Sequence, residues 1–260
     1  MTDNLIMIAL IAAMAALTVC LFILLFKFFR AAKYAGKYFS RGRLMTVIYV
    51  ISGGIILSAI VLSVLVYRNN GVYYAEDFGF ADIESDNDAD GDGIDDYRDM
   101  VEGARAYITT NPIYKSAYYG GGYPTDNYGV CTDVIWQAFK AAGYSLKDMV
   151  DADIDERHGD YFAEGEYSDS NIDFRRVRNL LVFFTEYAES LTTSTNNPED
   201  WMPGDIVIYD GHIAICSDKR NAQGLPYIIH LGNPVENGVE ANQLTRSGYG
   251  EVIGHFRYNP

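Results

Sequence analysis

Two long uncharged apolar runs restrict what this chain can fold into. Leu5–Phe26 covers 22 residues and Leu44–Tyr67 covers 24, with no charged side chain in either. A helix of that length matches the hydrocarbon thickness of a bilayer, so two transmembrane helices are expected. Lys27, Arg30, Lys33, Lys37, Arg41 and Arg43 lie between the runs with no acid among them. Positive loops stay cytoplasmic, which puts both termini outside and predicts a multi-pass protein of the cell membrane. A cleaved signal peptide fits less well, because the basic residues follow the first run instead of preceding it. Leu17-Thr-Val-Cys20 departs from a lipoprotein cleavage site by the bulk of Val19. Ser52-Gly-Gly54 offers small residues for close helix packing.

Charge separates the two parts of the chain. Residues 1–67 carry six basic side chains and one acidic, whereas the remainder is strongly acidic within a whole-chain net charge of −15. Such a surface has no basic footprint for nucleic acid, so that partner class is excluded. Beyond the apolar runs the cysteines are Cys131 and Cys216. Two cysteines are too few for a disulfide framework, although a single bridge between them would be possible in an oxidising compartment.

Residues 68–99 read as a linker containing an acidic loop. With Asp88 as position one, oxygen ligands recur at Asp90, Asp92, Asp96 and Asp99, Gly93 supplies a sharp turn, and the carbonyl of Ile94 completes the shell. That spacing wraps a hard cation and predicts a structural Ca2+ site. The aliphatic directly after the glycine resembles the calcium repeats of thrombospondin more than an EF-hand, and Asp99 in place of glutamate implies weaker binding. A solvated acidic linker is the alternative.

From residue 100 onward the pattern is helical first and stranded later, an α+β plan. Asp99–Thr109 carries one apolar face, and Asn171–Ala188 carries another through Val177, Leu180, Leu181 and Phe184. Ser145–Ile154 reads as a short helix and Asp155–Ser170 as surface loop, with His158 exposed in it. Ile206–Tyr209 and His212–Cys216 flank Asp210-Gly211, a preferred two-residue hairpin connection. Alternation puts His212, Ala214 and Cys216 on one face and Ile213 and Ile215 on the other. Tyr227–Leu231 and Glu251–Tyr258 add two further strands.

Cys131 opens a helix in which Ile135, Ala138 and Ala142 share its face and Gly143 marks the stop. Unpaired N–H groups and the helix dipole favour a thiolate there. A small buried core cysteine fits the same place equally well.

The ordered set Gly129-Val-Cys-Thr-Asp-Val134, Pro203-Gly-Asp-Ile-Val207, His212-Ile213 and Ile229-His230 resembles the NlpC-like cysteine peptidases. Asn171-Ile-Asp173, Arg175-Arg-Val177, Asn179-Leu180 and Gly254-His-Phe-Arg257 extend the resemblance over roughly residues 97–258. It points to a branch filed as a domain of unknown function. The resemblance implies a papain-like, NlpC-type fold and a cysteine amidase or endopeptidase acting on peptidoglycan stem peptides. It makes Cys131 the nucleophile, His212 its ion-pair partner and His230 the group that orients His212, with no catalytic cofactor. The backbone N–H of Cys131, with the Tyr128 hydroxyl, would stabilise the oxyanion. The better-known members have Asp-Cys-Ser-Gly, whereas here Val130 precedes the cysteine. Asp133 either holds the substrate amine from the first helical turn or caps the helix. Arg175, Arg176 and Asn179 either line a groove or pair with carboxylates, and His255 is expected to be structural. Two other readings stand beside this one: an acyltransferase or lipid-acting enzyme on the same fold, and a non-catalytic, calcium-stiffened wall-binding or sensor domain. The expected division is thus anchor 1–67, linker 68–99 and hydrolase domain 100–260.

Overall fold

The computed structural model describes residues 41–81, 83–232 and 237–260, together with 23, 26–28 and 30. The chain divides into two compact units, Met1–Gly71 and Val72–Pro260.

In the first unit the run Leu5–Phe26, apart from Ile23 and Phe26, and most of the basic segment lie outside the described residues. The run Leu44–Tyr67 falls within helix α1 (Arg41–Asn70). Among the described residues no helix is long and apolar enough to cross a membrane, which overturns the expected pair of transmembrane helices and the multi-pass topology drawn from them. Within α1 the apolar run is interrupted by the small residues Ser52, Gly53, Gly54 and Ser58.

The second unit is α+β. Its helices are α2 (Ala75–Phe78), α3 (Asp96–Thr109), α4 (Cys131–Ala141), α5 (Leu146–Tyr161) and α6 (Val177–Tyr187). β1 (Ile113–Tyr114) and β2 (Tyr128–Gly129) form a short parallel pair leading into α4. The main sheet contains β3 (Glu189–Ser190), β4 (Ile206–Tyr209), β5 (His212–Arg220), β6 (Pro226–Leu231), β7 (Gly238–Ala241) and β8 (Val252–Arg257). All its pairings are antiparallel, in the order β3-β8-β4-β5-β6-β7. Tyr209 pairs with His212 across the hairpin, and Gly211 takes φ +78°, which suits glycine at that turn.

The two faces of the sheet bury different sets of residues. Ile213, Ile215, Ile229 and Leu231 pack with Ile135, Ala138 and Phe139 of α4 and with Met100 and Ala104 of α3. Ala214, Cys216 and Ile228 instead join Trp201, Val207, Tyr209 and Leu244. α3 and α4 approach closely because Gly103 has no Cβ; one built there would strike Ala141. Behind β4, Asp205 accepts from His255 Nε2 at 2.9 Å and from Arg257, while Trp201 stacks on the His255 ring at 3.8 Å. His255 therefore ties β8 to the turn before β4.

Two helix boundaries differ from the sequence expectation. α5 continues through the acidic stretch to Tyr161 with a kink at Arg157 (φ −124°, ψ 40°), across which Asp153 binds Arg157 and accepts from the Tyr161 hydroxyl. Asn171–Ala188 is not one helix: Asp173–Arg175 forms a 3₁₀ turn before α6, and Asn179 Nδ2 donates to the Asp173 carbonyl.

Candidate active site

The site is assembled where α4 begins and where β5 leaves its hairpin. The backbone N–H groups of Ile213, the residue after His212, of Thr132 and of Cys131 itself act to lower the pKa of the Cys131 thiol. These donors favour the thiolate, as the helix position predicts. Burial outweighs them: the side chain is 6% exposed, and its pKa is pushed up to about 11, mainly by desolvation. Burial therefore favours the thiol over the thiolate. Tyr114 lies close enough for Cys131 to raise its phenol, after burial, the larger cause.

His212 is 8% exposed and His230 fully buried. His212 Nε2 faces His230 Nδ1 at 3.2 Å, and His230 Nε2 faces Gln243 Oε1 at 2.9 Å. An amide oxygen only accepts, so His230 carries its proton on Nε2 and presents the Nδ1 lone pair to His212. His212 Nε2 then carries the proton, leaving the His212 lone pair on Nδ1. Gln243 thus sets the tautomers of both rings. Tyr249 stacks on the His212 ring at 4.2 Å and 12° and meets His230 edge-on at 5.3 Å, restricting rotation of either imidazole.

Asp133 is fully buried, and its two oxygens receive four donors. Val130 N donates at 2.7 Å, Trp136 Nε1 at 2.8 Å, and Arg175 through Nε at 2.7 Å and Nη2 at 2.8 Å. Of the two roles open to Asp133 in the sequence, the geometry displays the helix cap, with Arg175 as its counter-charge. Arg175 also donates to the Ala117 carbonyl, fixing the loop before β2, and Arg176 pairs with Asp173. Gly129 allows this close assembly, since a Cβ there would collide with the Tyr107 hydroxyl. Tyr128 lies with its ring under Lys115 Nζ at 4.1 Å, and its backbone N–H is held by Asp126. His158 is exposed on α5. Cys131 and Cys216 are both free thiols, so the bridge between them is absent.

The candidate ligands of the acidic loop fall into three groups. Asp88, Asp90 and Asp92 are exposed and place one carboxylate oxygen each within 4.8 Å of the others. Asp96 is buried with both oxygens engaged, by Ala89 N at 2.9 Å and by the Tyr144 hydroxyl. Ile94 turns its N–H to Asp92 Oδ1 at 2.8 Å. Asp99 is 8% exposed, and its Oδ2 has no hydrogen-bond partner among the described residues.

Residues 101–258 match the family described as a domain of unknown function, DUF1287. The chain belongs to this family. It is similar to the uncharacterized protein YijF of Escherichia coli (strain K12), with 32% identity over 170 residues, covering 61% of this chain and 80% of that protein. No solved structure matches the chain. The family match begins within α3 and spans Cys131, His212, His230, Gln243 and Tyr249; the acidic loop lies before it.

Sequence reasoning missed Gln243 and Tyr249. Both come from the segment after β7, which folds back over β6, and no spacing from Cys131 or His212 points to them.

Proposed function

We propose that this protein is a cysteine hydrolase that cleaves amide bonds, with peptidoglycan stem peptides as the substrate class implied by its resemblance to NlpC-like enzymes. The observation that carries the reading is the Gln243–His230–His212 relay, ending one residue from Ile213, whose backbone N–H acts to lower the pKa of Cys131. A buried histidine pair polarised in one direction serves proton transfer, whereas a packing role requires no fixed tautomer.

In this mechanism His212 Nδ1 takes the thiol proton as Cys131 Sγ attacks the scissile carbonyl. The charge that forms on His212 is shared through Nε2–H with His230. N–H groups of the first turn of α4 stabilise the oxyanion. His212 returns the proton to the leaving amine, and water then hydrolyses the thioester. Burial favours the thiol form of Cys131, so in this mechanism ionisation accompanies attack.

The test is to incubate the full-length protein with purified peptidoglycan in H₂¹⁸O and read the products by mass spectrometry. Fragments with a new carboxylate carrying one ¹⁸O support hydrolysis. Fragments whose acyl group has moved to another amine without ¹⁸O indicate acyl transfer, and intact peptidoglycan removes it as the substrate.

A further inference from the structure

We propose that Asp88, Asp90, Asp92 and Asp99 bind one Ca2+ ion, and that the ion fastens the acidic loop to the catalytic-type unit instead of stiffening a stalk. The inference is independent of the chemistry at Cys131. Three exposed carboxylates converge within 4.8 Å. The independent observation is Asp99. It is more than nine-tenths buried, its Oδ2 has no partner among the described residues, and its strongest charged neighbours are Asp92, Asp90, Asp96 and Asp88. An unpartnered buried carboxylate within the field of three others is costly unless a cation joins them. Asp99 also stands eleven residues after Asp88, the place that closes a twelve-residue calcium loop. With oxygen donors only, and with three of the four on a pliable loop, the set suits Ca2+ over Zn2+ or the small octahedral Mg2+.

The loop's position gives the ion its consequence. A Cβ at Gly143 would lie 3.0 Å from the backbone N and the Cβ of Asp90, so the loop seats against the C-terminal end of α4. Asp96, bonded to Tyr144, makes a second tie to the same place. The ion would therefore brace the helix that presents Cys131 at its other end.

Thermal unfolding of the full-length protein in CaCl₂, in EDTA and in NaCl of equal ionic strength tests this. Ca2+ at a hundredfold excess over its Kd should raise Tm by about 5–10 °C, and calorimetry should count one site. Asp90→Asn, an exposed change, and Asp99→Asn should each abolish the rise. In EDTA, Asp99→Asn should melt no lower than wild type, because it removes an unpartnered buried anion. A rise reproduced by NaCl, a rise kept by both variants, or no rise in millimolar Ca2+ would overturn the proposal. If Asp99→Asn does not fold, the response of Asp90→Asn decides.

Discussion

Replacing Asp133 by Asn should reveal how the start of α4 is held. Arg175 Nε and Nη2 both end on the Asp133 carboxylate, and the two side chains are 2% and 0% exposed. The substitution leaves a guanidinium buried without its counter-charge, which costs about 3–5 kcal/mol. For a chain of this size that lowers Tm by roughly 6–20 °C. Arg175→Met strands the carboxylate and should cost a similar amount. The double variant should cost no more than the worse single, a coupling of about 3 kcal/mol. Urea unfolding followed by tryptophan emission suits the test, because Trp136 donates directly to Asp133 and both Trp136 and Trp201 are buried. A loss below about 1 kcal/mol in Asp133→Asn, or costs that simply add in the double variant, would refute the reasoning.

Three further outcomes are expected. Burial alone pushes Glu240 up, but hydrogen bonds from Arg105, Lys219 and Ser217 outweigh it and hold the carboxyl at about 2. Glu240 thus contributes about 3 kcal/mol of stability above pH 4.5 that is lost as pH falls towards 2. Glu240→Gln should be less stable at neutral pH and show a flatter acid-unfolding profile; an unchanged profile contradicts the assignment. Cys131, pushed up to about 11 by burial, should alkylate with iodoacetamide at a rate that climbs about tenfold per pH unit above 7. A plateau already reached by pH 7 would mean a preformed thiolate. Gln243→Leu frees the His230 tautomer and should lower kcat tenfold or more with KM little changed; an equal loss in KM alone would point to a binding role.

The sequence carried the period of β4 and β5, the hairpin at Asp210-Gly211 and the helix opening at Cys131, because each is a local pattern of apolar spacing or turn chemistry. What it could not carry were contacts made across the fold. Asp133 could cap or bind an amine until Arg175, 42 residues later, was seen to occupy its carboxylate. Gln243 reaches His230 only because β7 pairs back on β6. The balance at Cys131 was hidden for a related reason: the helix dipole that favours a thiolate is local, whereas the burial that opposes it comes from packing across the fold. Composition reads Asp155–Ser170 as loop, yet the chain stays helical to Tyr161 with a kink at Arg157, where Asp153 binds Arg157 and the Tyr161 hydroxyl. The long apolar runs were read from their length, their lack of charge and the basic loop between them.

The central claim is that Cys131 is the nucleophile and His212 its base. The most direct measurement is the rate at which full-length Cys131→Ala, with its melting temperature matched to wild type, releases peptide fragments from purified peptidoglycan. The account predicts a loss of at least about 10³ relative to wild type. Release at an undiminished rate would contradict it and remove Cys131 from the chemistry.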